Sequence, residues 1–292
     1  MTSTPSVAYG GVSILHAAGC GWGCSTPIDL SCRAMINRDK AGNNADDSGL
    51  LSQLSSSILS LTGHEIDSEI TISVESEIPA SMGLKSSSAV AISAIKSVIQ
   101  ELEIDLDPRQ IVEVAAEMQM RSGCSMTGAY DDNWAAMGMN SAIIRLESEP
   151  PSEPFAHTVI NNMYCMIIHR GRRRSTPKLS DFEKMRSKFK IAKKSLISGD
   201  VIAAFKENGL AVAESTRDLE GLKLLKTLDS MGLASSITGS GPSIAILYGE
   251  DQVDLVSEFS RSFERIITTK VLQRPRMAVS YTHLRAHETS AY

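Results

Sequence analysis

The sequence predicts a mixed α+β fold arranged in two lobes. Segments with strand-like alternation and segments with helical spacing are interleaved along the whole chain, the pattern of an α+β protein. A Pro/Ser/Glu-rich stretch, Glu147 to Pro154, reads as a linker near the middle. No internal repeat is visible. The expected domains are 1–150 and 151–279, and 280–292 (SYTHLRAHETSAY) fits no periodicity and is expected to be a non-native tail.

The first quarter reads as strand and turn, then helix. Val7 to Ala18 is a mixed apolar stretch, and Gly19-Cys20-Gly21-Trp22-Gly23 follows, its alternate glycines permitting positive φ and close approach of a ligand. That spacing is Gly-x-Gly-x-Gly and does not meet the dinucleotide fingerprint. Asp46 to Leu61 has helical spacing, and Ile66 to Ile78 alternates as a half-exposed strand. Ser87 to Leu102 is a buried Ala/Val/Ile-rich helix. Pro108 opens another helix over Arg109 to Met120, which Gly123 to Gly128 breaks. Trp134 to Met139 and Ala142 to Leu146 return to apolar structure. Beyond the linker, Tyr164 to His169 reads as a strand and Phe182 to Ile197, Val201 to Val212 and Leu219 to Met231 as helices. Ile237 to Tyr248 reads as strand, turn, strand.

Composition narrows the function classes. The 292 residues are 42% hydrophobic and 22% charged, average usage for a soluble globular chain. The net charge of −5 gives no global field for nucleic acid or an anionic membrane, and no apolar run reaches transmembrane length. Met1 to Gly10 lacks the basic and apolar regions of a secretory signal, so a cytoplasmic protein is expected. The cysteines at 20, 24, 32, 124 and 165 are odd in number and unevenly spaced, so reduced thiols are expected in place of a disulfide framework or a zinc site with His16.

Three segments carry chemistry. Pro79-Ala80-Ser81-Met82-Gly83-Leu84-Lys85-Ser86-Ser87-Ser88-Ala89 runs from a glycine turn into a helix start. Backbone N–H groups at a helix N-terminus lack partners and carry the positive end of the dipole, so the segment suits phosphate. Ser86, Ser87 and Ser88 add hydroxyls able to donate to phosphate or ligate magnesium. It is not a Walker loop, because Leu84 separates Gly83 from Lys85 and the upstream glycine is missing. A serine-capped helix after a tight turn is the plainer reading of the same residues. The second segment is Thr127-Gly128-Ala129-Tyr130-Asp131-Asp132-Asn133-Trp134, with Gly138 following. The third is Thr238-Gly239-Ser240-Gly241-Pro242-Ser243, which alone would be an ordinary hairpin turn.

Together the trio resembles the three motifs of the GHMP kinases, the superfamily of galactokinase, homoserine, mevalonate and phosphomevalonate kinases. Pro79, Gly83, Leu84, Ser86 and Ser87 match its Pro-x-x-x-Gly-Leu-x-Ser-Ser pattern. Within it, Lys85 with the triple serine, the Thr-Gly-Ala-Tyr-Asp-Asp string and the Gly10-Gly11-Val12-Ser13-Ile14 opening are most similar to the archaeal type of shikimate kinase. The resemblance spans about residues 5 to 279. It implies a two-lobed GHMP kinase fold: an N-terminal β-α domain of left-handed-crossover-type topology and a C-terminal ferredoxin-like α/β sandwich. It also implies transfer of a phosphoryl group from ATP to the 3-hydroxyl of shikimate, in aromatic amino-acid biosynthesis. ATP would lie against Pro79, Gly83 to Ala89, Gly239, Ser240 and Gly241. Ser87 and Glu117 are the implied Mg2+ ligands. Asp131, or its neighbour Asp132, would activate the substrate hydroxyl, although the pair could simply cap the following segment.

The implied partners are ATP and a small-molecule acceptor, in a monomer or homodimer. Gly19 to Ser25 matches the part of the archaeal enzymes that lines the acceptor site, with Trp22, Cys24 and Thr26 departing from the pattern. Homoserine kinase is the nearest enzymatic alternative, but that family usually has asparagine where Asp131 stands. A non-catalytic ligand-binding member is the other alternative, argued against by intact Ser87, Asp131 and Gly239-Ser240-Gly241. Arg170 to Arg174 is too short and too free of aromatic residues for nucleic acid; it reads as a solvated loop, or as arginines reaching the shikimate carboxylate or ATP phosphates.

Overall fold

The computed structural model describes residues 4–37, 48–66, 70–171 and 177–272. The chain opens on a long antiparallel pair, β1 (Ser6–Leu15) and β2 (Trp22–Asn37), joined by the one-turn helix α1 (Ala17–Cys20). α2 (Leu54–Thr62) leads to β3 (Thr71–Ser76), which pairs with the second half of β2. Then come α3 (Ser86–Glu101), α4 (Pro108–Arg121) and α5 (Tyr130–Ala136). β4 (Ser141–Arg145) returns to the start of β2, and β5 (Ala156–Thr158) adds to β4. The resulting sheet has the order β1-β2-β4-β5, with β3 beside β2.

α3 is rich in small and apolar residues because most of it is buried between the sheet and its neighbours: Ala91, Ile92, Ala94, Ile95 and Val98 are fully inaccessible. α4 starts on a reciprocal capping box, Asp107 with Gln110, and carries Pro108 in its first turn. These signals explain why both helices are readable from sequence nearly to their ends.

The second half contains β6 (Tyr164–Ile168), α6 (Leu179–Glu183), α7 (Arg186–Ile197), α8 (Val201–Ser215), α9 (Leu219–Ser230), β7 (Ala234–Ile237), β8 (Ile244–Tyr248), α10 (Val253–Ser260) and β9 (Ile266–Lys270). Its antiparallel sheet has the order β7-β8-β6-β9, with helices after its first and third strands. That is the ferredoxin-like arrangement the resemblance implied.

Several expectations are corrected. Glu147–Pro154 is not the boundary: Trp134 Nε1 donates to Ser152 O (2.8 Å), Ser152 Oγ donates to Glu113 (2.6 Å), and β5 then joins the first sheet. The chain therefore crosses between sheets after Thr158. The predicted helix Phe182 to Ile197 breaks near Met185, which lets Phe182 stack on His16 (centroids 4.6 Å apart) while Phe189 packs onto Gly19. Of the alternating glycines only Gly21 has a positive φ; Gly19 and Gly23 serve close packing. The strand predicted over Ile66 to Ile78 is confined to Thr71–Ser76 within the described residues, and Trp134 lies in α5. Residues 46–47, the arginines 172–174 and the tail 280–292 lie outside the described residues.

The lobes are stitched along one seam. His16 N donates to Asn208 Oδ1 (2.8 Å), Thr238 Oγ1 to Gly83 O (2.8 Å), and Thr269 Oγ1 to Asp29 O (2.8 Å). The described cysteines are all free thiols, four of them buried, and burial raises Cys20, Cys24 and Cys32 and pushes Cys165 up to about 12. Among the described residues no helix is long and apolar enough to cross a membrane.

Candidate active site

The cradle is built where the turn after β3 runs into α3. Gly83 has φ 75°, and a Cβ there would lie 2.2 Å from Thr238 O, so only glycine lets the two lobes' backbones meet. Leu84 is buried and its carbonyl accepts Gly11 N (3.1 Å), pinning the loop to β1. Lys85 is the residue before α3, and no side chain caps that helix. The first intrahelical bond runs from Ala89 N to Lys85 O, which leaves the N–H groups of Ser86, Ser87 and Ser88 at the helix mouth. An uncapped sixteen-residue helix opening beside a positive-φ glycine is an anion-binding geometry.

Asp131 and Asp132 lie in the first turn of α5, which Ala129 enters in the left-handed conformation. Asp131 is 5% exposed and fits because residue 23 on β2 is glycine: a Cβ there would stand 2.6 Å from Asp131 Oδ1. Ser25 Oγ bridges the pair, 3.0 Å from Asp131 Oδ2 and 2.6 Å from Asp132 Oδ1. Lys85 Nζ reaches Asp132 Oδ1 at 2.8 Å and donates to Ser13 Oγ at 2.6 Å. Burial, reinforced by the Asp132 charge, raises the Asp131 carboxyl to about 7, against the opposing pull of Lys85 and Ser25. A carboxyl with that affinity can exchange a proton near neutral pH.

The turn between β7 and β8 closes the site from the other lobe. Thr238 N donates to Ser243 O (3.1 Å) and Gly241 N to Thr238 O (3.0 Å). Gly239 N donates to Ser13 Oγ (3.2 Å), the same hydroxyl that Lys85 reaches. His16 Nδ1 accepts from Ala18 N (3.3 Å), which leaves Nε2 as the donor to Ser240 Oγ (3.1 Å). Cradle and turn thus share Ser13 and Thr238 as hydrogen-bonding posts, and Lys85 links Ser13 to the Asp132 carboxylate.

Gly83 to Ala89, Asp131, Asp132 and Gly239 to Gly241 are brought to this one seam, and Pro79 begins the turn that leads to Gly83. Glu117 is not brought to Ser87. It pairs with Arg121 on its own helix, and the α4 side chain that meets the serines is Gln119, buried at 1% exposure. Gln119 Oε1 accepts Ser87 Oγ (3.1 Å), and its Nε2 donates to Asn133 Oδ1 (2.6 Å), tying the cradle to the carboxylate helix. Arg170 is occupied as well: it holds Asp218 through both terminal nitrogens (2.5 and 2.9 Å) and donates to Pro242 O (3.2 Å), bracing the turn. Among the described residues no group of three or more His, Cys, Asp or Glu side chains is gathered for a metal. No individual role was assigned from sequence to Ser13, Ser25, Gln119 or Thr238, although the Gly10–Ile14 opening, the Gly19–Ser25 segment and the Thr238–Ser243 motif contain the two serines and the threonine.

Residues 53–138 match the family model described as the GHMP kinases N terminal domain. The chain is 24% identical to a shikimate kinase of Thermococcus kodakarensis, covering 90% of this chain and 98% of that protein. It is 26% identical to a shikimate kinase of Methanothrix thermoacetophila, covering 92% and 94%. Of solved structures, galactokinase of Lactococcus lactis complexed with galactose superposes with a TM-score of 0.68 at 12% identity, covering 93% of this chain and 95% of that one. Mevalonate kinase of Methanococcus jannaschii gives 0.66 at 16% identity, covering 92% and 98%. With a loop that opens onto an uncapped helix, a buried carboxylate pair beside it and these likenesses over most of its length, the chain has the GHMP kinase fold, and its residues 53–138 match the GHMP kinase N-terminal domain.

Proposed function

We propose that this protein transfers the γ-phosphoryl group of ATP to the 3-hydroxyl of shikimate, giving shikimate 3-phosphate and ADP. The observation that carries the chemistry is the buried Asp131 carboxyl, bridged by Ser25 to Asp132 and set beside an open helix N-terminus. The acceptor is inferred from the nearly full-length likeness to shikimate kinases.

Phosphoryl transfer asks mainly for positioning and for neutralising charge on the transferring group and the leaving oxygen. The N–H groups of Ser86 to Ser88 would hold the phosphates, and the Gly239–Gly241 turn would lie against the nucleotide. Asp131 would accept the proton of the acceptor hydroxyl as its oxygen bonds to phosphorus and the bond to ADP breaks. The half-buried Ser87 hydroxyl, close to the helix mouth, fits a magnesium ligand; the ion would supply charge neutralisation on the phosphate oxygens. Glu117 is turned away toward Arg121, so phosphate oxygens and water would complete that ion's shell.

The test offers purified protein with ATP and magnesium to shikimate, homoserine and mevalonate in parallel, following ADP release. Release with shikimate well above the other two is the expected result. Release only with homoserine would replace the acceptor, and release with none would favour a binding-only member of the fold.

A further inference from the structure

Lys85 sits in a conformation that lysine avoids. Its φ of 65° and ψ of 30° are left-handed, where a Cβ is unfavourable and glycine is the ordinary occupant. Its side chain folds inward across Gly11, where a Cβ would stand 3.2 Å from Lys85 Cγ, and the residue is only 9% exposed. The ammonium meets Ser13 Oγ and Asp132 Oδ1. A lysine retained only to meet phosphate has no need of that burial or of a carboxylate partner.

The hydroxyl of Ser25 has one proton and two carboxylate neighbours. Its closer partner is Asp132 Oδ1 at 2.6 Å, the oxygen that Lys85 also reaches. When Ser25 donates to Asp132, the 3.0 Å contact between Ser25 Oγ and Asp131 Oδ2 needs its proton from Asp131. The row then reads Asp131 carboxyl, Ser25 hydroxyl, Asp132 carboxylate, Lys85 ammonium. We infer that Lys85 is a positioning residue for the proposed transfer: it holds Asp132 as the fixed anion of the pair and so leaves Asp131 to exchange the proton. This rests on the reading of Asp131 as the group that takes the acceptor's proton. In the step itself that proton moves to Asp131 while the oxygen–phosphorus bond forms and the bond to the ADP oxygen breaks. The charges facing Asp131 among the described residues are Asp132 from its own helix and Lys85 from the loop. β2 adds Ser25 and the Cys24 thiol, which burial raises well above its ordinary range.

Lys85→Gly is the decisive variant, because glycine suits the backbone at this position and failure to fold is not the expected outcome. The readouts are the pH dependence of kcat and, on protein without substrates, the carbon-13 carboxyl titration of Asp131. Removing the ammonium leaves Asp132 uncompensated, so the limb on which activity rises with pH should move up by about one pH unit. At pH 7 kcat should fall about fivefold, with KM for ATP changing less. The double variant Lys85→Gly, Asp132→Asn should bring limb and titration back to the wild-type position or below, a rescue that a purely structural lysine would not give. An unmoved limb and titration, with KM for ATP raised tenfold or more, would overturn the inference and make Lys85 a phosphate ligand. If wild-type protein releases ADP with no acceptor, the proposed function fails by itself, and the Asp131 titration in the two variants still decides the role of Lys85.

Discussion

Replacing Asp131 by asparagine removes the buried ionisable group while keeping its size, and should separate stability from turnover. The folded protein raises this carboxyl from 3.8 to about 7, chiefly through burial. Each tenfold step in proton affinity is worth about 1.4 kcal/mol, so the buried charge opposes folding by up to about 4 kcal/mol once both states are ionised. The raised value fixes the direction. Below the unfolded chain's value of 3.8 both states hold the proton and the carboxyl is harmless. As pH rises toward about 7 the native state keeps a proton that the unfolded chain has released, so stability falls across that window and levels off above it. Asp131→Asn escapes this loss. Urea unfolding of both proteins at pH 4 and pH 8 should show nearly equal stabilities at the lower pH and a more stable variant, by up to about 4 kcal/mol, at the higher one. The same variant should lose most of its turnover while ATP binding, measured calorimetrically, stays largely intact. A stability gap that does not change with pH, or a wild type more stable than the variant at pH 8, would refute the reasoning.

Three further substitutions test the seam. Gly83→Ala forces a left-handed alanine against Thr238 O and loosens the hydrogen bond from Thr238 Oγ1; it should cost roughly 2–3 kcal/mol in urea unfolding and weaken ATP binding, and an unaltered midpoint would contradict the close approach. Gly23→Ala places a methyl 2.6 Å from Asp131 Oδ1, so kcat should fall more than tenfold with the ATP dissociation constant within about twofold; equal losses in both would show a general disruption. Gln119→Leu leaves Ser87 and Asn133 without their partner and should cost about 1–3 kcal/mol by chemical denaturation, whereas Glu117→Gln, which loses one ion pair with the half-exposed Arg121, should cost under about 1 kcal/mol.

What was legible in the sequence was local. The cradle could be read because glycine, lysine, three serines and the helix they start are contiguous, and α4 because its cap and proline announce it. The ferredoxin-like half followed from family likeness; β9 and α10 escaped direct reading because they are short, five and eight residues, too few for a period to stand out. The posts that assemble the site lie far apart in the chain: Ser25 meets carboxylates 106 and 107 residues away, and Thr238 meets Gly83 across 155. No short-range pattern encodes such pairs. Glu117 and Gln119 show the limit within one helix. Two residues at about 100° each lie on nearly opposite faces, so the carboxylate favoured by chemistry faces Arg121 while the amide faces the serines. Arg170 is similar: within a basic run it resembles a solvated loop, and only the fold shows Asp218 waiting for its guanidinium.

The most direct test of the proposed activity is the product itself. Phosphorus-31 NMR of a reaction containing the protein, ATP, magnesium and shikimate should show a new phosphomonoester coupled to the proton on carbon 3, together with ADP, and Asp131→Asn should abolish both signals. Coupling to a different ring proton, or ADP without a phosphorylated acceptor, would contradict transfer to the 3-hydroxyl. A full signal from Asp131→Asn would remove Asp131 from the chemistry.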